Sequence, residues 1–178
     1  MRKVVAYELL SLDGVAEAPD TFIHTWDDVM DANLAAVIEP QDAVILGRRS
    51  YDEWAEFWPS SDIQPFSRFI NGVDKYVATS RPLEHDWANT TVMGGDPVEF
   101  VRDQKHDDGG EIGVHASITL TRALLAAGVI DELKLVIAPA IVGAGQRLFD
   151  GLAGINLEVI RSTTSPSGHL LANYRVVR

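Results

Sequence analysis

The chain contains no cysteine. Disulfide scaffolds and thiolate metal sites are thereby excluded, and the protein is indifferent to the redox state of its surroundings. Long apolar runs are missing too, none approaching the ~18 residues that a bilayer span requires. The opening residues, Met1 to Glu8, meet a glutamate before a signal-peptide apolar region could form, so a cytoplasmic protein without membrane contact is expected. Positive charge is scarce: Lys and Arg number 15 against 26 Asp and Glu, a net charge of −11. A general nucleic-acid surface is therefore not expected, because such surfaces gain affinity by neutralising phosphates. A bound polyanion would need a local basic site, which singles out Arg48, Arg49 and Arg81. His24, His85, His106, His115 and His169 lack the i, i+4 spacing of a helical metal pair, and no metal site is expected. Neither a nucleophile elbow nor a Walker loop occurs, which disfavours acyl transfer and P-loop chemistry.

What is present suits one globular domain over residues 1–178, with 46% hydrophobic and 23% charged residues. Eight short β-branched or apolar runs read as strands: 2–10, 42–47, 73–78, 90–93, 111–115, 132–138, 155–162 and 169–177. Residues 27–38 carry Met30, Leu34, Val37 and Ile38 on one helical arc, with Asp27 and Asp31 at its border. Ser50-Tyr51-Asp52-Glu53 and Asp96-Pro97-Val98-Glu99 both read as capping boxes, and a further helix over 119–127 is closed by Gly128. Alternating strands and helices favour a largely parallel sheet with helices on both faces. After Gly128 the connections are too short for right-handed crossovers, so at least one antiparallel edge hairpin is expected.

Three strand-to-helix corners carry anion-binding equipment. Leu46-Gly47-Arg48-Arg49-Ser50 aims helix N–H groups and two cations at one point; Thr79-Ser80-Arg81 offers two hydroxyls and a guanidinium; His115-Ala116-Ser117-Ile118-Thr119 brings backbone N–H groups. Taken singly, these are also an ordinary turn, an ordinary cap and two solvated arginines. Parallel strands put such corners on one sheet edge, where a nucleotide with several phosphates would unite them. Asp27 and Asp31 suit acid/base work, although the first helical turn attracts acids in any case. Trp26, Trp54, Phe57 and Trp58 suit either a pocket for a flat ring or core packing.

Ser11-Leu12-Asp13-Gly14, Leu46-Gly47-Arg48-Arg49-Ser50-Tyr51, Thr79-Ser80-Arg81 and the block from Leu124 through Asp131-Glu132 and Pro139 to Phe149 together resemble the dihydrofolate reductase family, in its branch related to the riboflavin-biosynthesis reductase domain. The resemblance covers nearly the whole chain. It implies a dihydrofolate-reductase-like α/β/α sandwich, a mixed, mostly parallel sheet of about eight strands, a homodimer paired through the C-terminal sheet, and NADPH across the strand ends. By position, Arg48, Ser80 and Arg81 with Thr79 would hold the adenosine 2′-phosphate. Gly47, Arg49, Ser50 and residues His115, Ala116, Ser117, Ile118 and Thr119 would hold the pyrophosphate, and Leu12, Asp13 and Gly14 would lie near the nicotinamide. Relatives commonly have glycine where this chain has Ala116, whose methyl would crowd the pyrophosphate. In dihydrofolate reductases an acid on the first helix contacts the pterin, which makes Asp27 or Asp31 the candidate proton donor beside Asp13. The implied activity is reduction of a small flat heterocycle of pterin, pyrimidine or flavin-precursor type by NADPH. A ligand-sensing protein without turnover is the competing expectation.

Overall fold

A computed structural model describes residues 1–177. Its framework is one eight-stranded sheet in the order β4-β3-β2-β5-β1-β6-β8-β7. The strands are β1 (Val4–Leu10), β2 (Gln41–Gly47), β3 (Asp74–Ala78), β4 (Thr90–Val92), β5 (Glu111–His115), β6 (Glu132–Ile137), β7 (Asn156–Thr164) and β8 (Leu170–Val177). The first six pair in parallel, and β8 runs antiparallel to both β6 and β7. The expected C-terminal hairpin is thus present.

Strand β1 lies between β5 and β6 and is covered on both faces. Alternation of side chains divides it. Val4, Ala6 and Leu10 enter a core with Val114, Leu133 and Leu135 under helices α4 (Pro97–Gln104) and α5 (Ile118–Ala126). Tyr7 enters a second core under α1 (Asp28–Ile38), α2 (Arg48–Phe57) and α3 (Phe66–Gly72), with Met30, Leu34, Tyr51 and Ile70. Helix, sheet and helix make three layers, as the resemblance implies.

Asp27 caps α1, accepting from the Val29 and Met30 N–H groups at 3.0 Å, and Asp96 caps α4 through the Val98 and Glu99 N–H groups. The expected capping box at Ser50 is not formed. Strand β2 runs into α2 without a loop, so Gly47 becomes the N-cap and Ser50 falls within the first turn, where its hydroxyl is released for a tertiary contact. Glu53 pairs with Arg49 instead of reaching back. Helix α3 and two short 3-10 turns, Pro19–Thr21 and Trp58–Ser60, were not legible in the sequence pattern.

Gly113 in β5 leaves room for a buried hydrogen bond between Gln41 Oε1 and His115 Nε2, 2.8 Å long. A Cβ there would lie 2.0 Å from Gln41 Oε1 and 2.8 Å from His115 Nε2, so Gly113→Ala must open that bond. A loss of about 1–3 kcal/mol is expected, read as a lower urea midpoint with an unchanged slope. An unchanged midpoint would contradict this packing.

Candidate active-site cleft

Because β1, β2 and β5 are parallel neighbours, their carboxyl ends open on one side, and a cleft of about 920 Å³ lies there. Two of the expected corners meet in it. Gly47, Arg48, Arg49 and Ser50 line one wall, and His115 through Thr119 line the adjoining one. They are joined directly: the Gly47 N–H donates to Ser117 Oγ at 2.8 Å, and the Ser117 N–H donates to Ser50 Oγ at 3.1 Å. Helices α2 and α5 both begin at this point, and neither has a side-chain cap, whereas α1 and α4, which begin elsewhere, are capped by aspartates. First-turn N–H groups left without side-chain partners make an electropositive corner.

The third corner is linked to the cleft through Arg48. Its guanidinium donates to the Pro82 carbonyl at 2.6 Å and to Asp52 at 2.6 Å, and pairs with Glu84 at 3.2 Å. Thr79 lies 3.5 Å from the same group, while Ser80 and Arg81 are exposed beside it. Arg49 faces Glu53 and Glu17. Both arginines are thus matched by carboxylates, a balance that was not foreseen.

The turn between β5 and α5 keeps the shape that glycine would take. Ala116 and Ser117 stand at φ 51° and 59°, both left-handed. Ala116 thus stands at a backbone conformation that glycine, common at this place in relatives, adopts without strain. Such conformations cost of order 1–2 kcal/mol per residue, and strained pairs gather at functional sites.

The three acidic candidates separate. Asp13 accepts from Ser11 Oγ at 2.7 Å and from the Val142 and Gly143 N–H groups at 3.0 and 2.8 Å. These bonds hold its carboxyl well below the usual range. It clamps one loop to another and does not line the cleft, nor do Leu12 and Gly14; Ala16 to Asp20 take that place. Asp27 is held low chiefly by the Ser167 hydroxyl and is spent on capping. Asp31, one turn on, does line the cleft, and Trp26 Nε1 donates to it at 2.7 Å. Trp54, Phe57, Trp58 and Phe66 form an aromatic wall there, in edge-on contacts 4.9–6.1 Å between ring centroids. The floor is Tyr7 beside His115. Burial, with Lys134 adding to it, pushes the imidazole down to about 3 and keeps it neutral.

Glu8 was missed. It also lines the cleft, 3% exposed, with Thr121 Oγ1 2.8 Å from its Oε1. Burial pushes its carboxyl up to about 8, against the pull of Thr121. A lone acid inside Val4-Val5-Ala6-Tyr7-Glu8-Leu9-Leu10 was the available signal. Since the folded value lies above the ordinary 4.5, this group's stabilisation is complete below 4.5 and is lost as pH rises towards 8. His115 has the opposite sign: its folded value is below 6.5, so stability is kept above 6.5 and lost as pH falls towards 3. Glu8→Gln is therefore expected to gain on the wild type between pH 5 and 8, by up to ~1.4 kcal/mol per pH unit. Denaturant midpoints of both proteins across that range test this; a gap that does not widen refutes it.

Comparison with known proteins agrees with this fold. YyaP of Bacillus subtilis (strain 168) is 25% identical over 173 residues, 94% of this chain and 91% of YyaP. A putative riboflavin biosynthesis protein from Shewanella sp. PV-4 superposes with a TM-score of 0.79 at 19% identity, over 99% of both chains. A dihydrofolate reductase from Enterococcus faecalis, complexed with NADP(H), gives 0.66 at 15% identity, over 99% of this chain and 97% of that one. The fold is dihydrofolate-reductase-like and supports a reductase-type function. The family described as RibD C-terminal domain matches residues 2–171, and the chain belongs to it.

Proposed function

We propose that the protein is an NADPH-dependent reductase of a small flat heterocycle of pterin, pyrimidine or flavin-precursor type. One observation carries the reading: two helices begin without side-chain caps at a single corner of the cleft, beside Arg49. That corner suits a pyrophosphate. Ser117 N–H already has an oxygen, Ser50 Oγ, where a phosphate oxygen would be received, so the residues fit the group. The aromatic wall and Asp31 at the other end suit a flat ring with N–H donors. The nicotinamide, when bound, supplies the hydride. The chain's own part is then to stack the ring on Trp54 and Phe66, to exclude water, and to offer Asp31, oriented by Trp26, as the carboxyl that holds or relays the proton.

Fluorescence titration with NADPH and NADH tests the cofactor. The Arg81 guanidinium has no hydrogen bond or ion pair among the described residues and is free to meet a 2′-phosphate with Ser80 and Arg48. A charge-assisted contact is worth ~1.5–3 kcal/mol, so Arg81→Ala is expected to weaken NADPH about ten-fold or more and leave NADH nearly unchanged. Millimolar NADPH without binding would sink the reading. Loss of absorbance at 340 nm across pterins and pyrimidines would name the substrate class, and Asp31→Asn should lower that rate at least 100-fold while sparing NADPH affinity, in line with the ~10²–10⁴ of general acids. Arg48, tied to Asp52 and Glu84, favours the second reading, a binding protein without turnover; NADPH binding with no oxidation across the panel would select it.

Self-pairing belongs to the same proposal. Strand β7 is a sheet edge, and Leu157, Val159 and Ile160 stand exposed along it, Val159 to 65%. A long apolar edge is covered in native proteins, and a second copy offers the matching strand. Light scattering at micromolar protein should give a dimer mass; a monomer would refute it.

A further inference from the structure

The Ala116–Ser117 peptide is held at both ends. Its N–H points to Ser50 Oγ at the cleft, and its carbonyl, that of Ala116, lies 3.3 Å from Thr121 Oγ1. Thr121 Oγ1 is in turn 2.8 Å from Glu8 Oε1. A hydroxyl has one proton to give, and it has two acceptors here if Glu8 is ionised. If Glu8 carries a proton, the conflict vanishes: the acid donates to Thr121 Oγ1, and the Thr121 hydroxyl donates to the Ala116 carbonyl. All three groups are then satisfied, and the strained peptide is fixed with its N–H towards the cleft.

Resting on the NADPH reading above, we propose that Glu8 is a positioning residue. In its protonated form it acts through Thr121 to hold the left-handed Ala116–Ser117 turn in the orientation that receives the dinucleotide's pyrophosphate. Ionisation turns the Thr121 proton to the carboxylate, frees the Ala116 carbonyl, and adds a buried negative charge beneath an anion site. The surroundings keep the acid neutral. On its face of the sheet β1 contributes Ala6 and Leu10, β5 Val114, β6 Leu133 and Leu135, and α5 Leu120 and Leu124, all apolar. Lys134 and His115 lie on the opposite face. Arg122 of α5 is turned to the Arg147 and Leu148 carbonyls. The charged groups lining the cleft are Glu17, Asp20, Asp31, Arg48, Arg49 and Glu53. The carboxyl's tendency to stay protonated to about pH 8 agrees with that setting.

Two measurements on the full chain test the relay. The first needs no ligand: nuclear magnetic resonance titration of the Glu8 carboxyl and of the Ala116 and Ser117 amides from pH 6 to 10. The amide signals are expected to move with the Glu8 midpoint in the wild type and to stay still in Glu8→Gln, whose NH₂ group takes the place of the acid proton. Amides that ignore the Glu8 titration overturn the proposal. The second is NADPH affinity against pH. Wild-type affinity should fall about ten-fold per pH unit above the Glu8 midpoint, and Glu8→Gln should hold one affinity from pH 7 to 9.5. Thr121→Val should bind more weakly than the wild type below the Glu8 midpoint and show a smaller total fall with pH, because only the buried charge then remains to act. Parallel curves for wild type and Glu8→Gln overturn the proposal. Absence of NADPH binding at any pH would remove the cofactor reading alone, and the ligand-free titration would still decide the relay.

Discussion

The hydrogen bond from the Gly47 N–H to Ser117 Oγ crosses from the end of β2 to the end of β5, and the cleft is arranged around it. It exists because the two strands are parallel neighbours in register, Ile45 opposite Val114, so that both chains leave the sheet at the same height. Two helices then start side by side, and a side-chain cap on either would fill the space between them. The absence of caps is a consequence of this geometry as much as of residue choice. Ser50 shows the economy: in an ordinary loop it would cap α2, and here its hydroxyl bridges to Ser117 across the junction.

Strain at Ala116 and Ser117 lies at the same junction. The chain passes from β5 into α5 through two left-handed residues, Ala116 and Ser117, whereas β2 enters α2 through an extended Gly47. Glycine would adopt the left-handed backbone without cost, but alanine restricts the unfolded chain and recovers part of the difference. Further support comes from below. Thr121 holds the Ala116 carbonyl, and the Thr121 N–H donates to the Ser117 carbonyl at 2.9 Å.

Most of the scaffold was legible in the sequence. Strands such as Ala43-Val44-Ile45-Leu46 are short, apolar and bounded by turn residues, and the long-range pairing adds little that their pattern does not contain. Asp96 was legible as a helix start, because a cap acts through its immediate neighbours. Ser50 was misread since the same local pattern fits a serine already inside a helix when the preceding strand leaves no loop. Asp27 and Asp31 were not separated: they lie one turn apart, and Asp27 is spent on the cap of α1 through one oxygen and, through the other, on Ser167, a contact from far along the chain. Glu8 was passed over for a related reason. An acid in an apolar strand is visible in the sequence, but whether it meets Thr121 or solvent depends on where α5 lands.

The arginines raise the question of how an acidic protein would hold an anion. Arg48 and Arg49 are each engaged by two carboxylates, Asp52 with Glu84 and Glu53 with Glu17. An arriving phosphate therefore competes with existing partners, so its gain over them is smaller than a bare guanidinium would give. The advantage lies in order: ion-paired arginines are already oriented, and less side-chain entropy is lost on binding. Backbone N–H groups carry no such competing carboxylate. On the proposed reading, the first-turn N–H groups of the two helices would supply attraction that no carboxylate already answers, and the arginines would discriminate among anions by which of them displace a carboxylate.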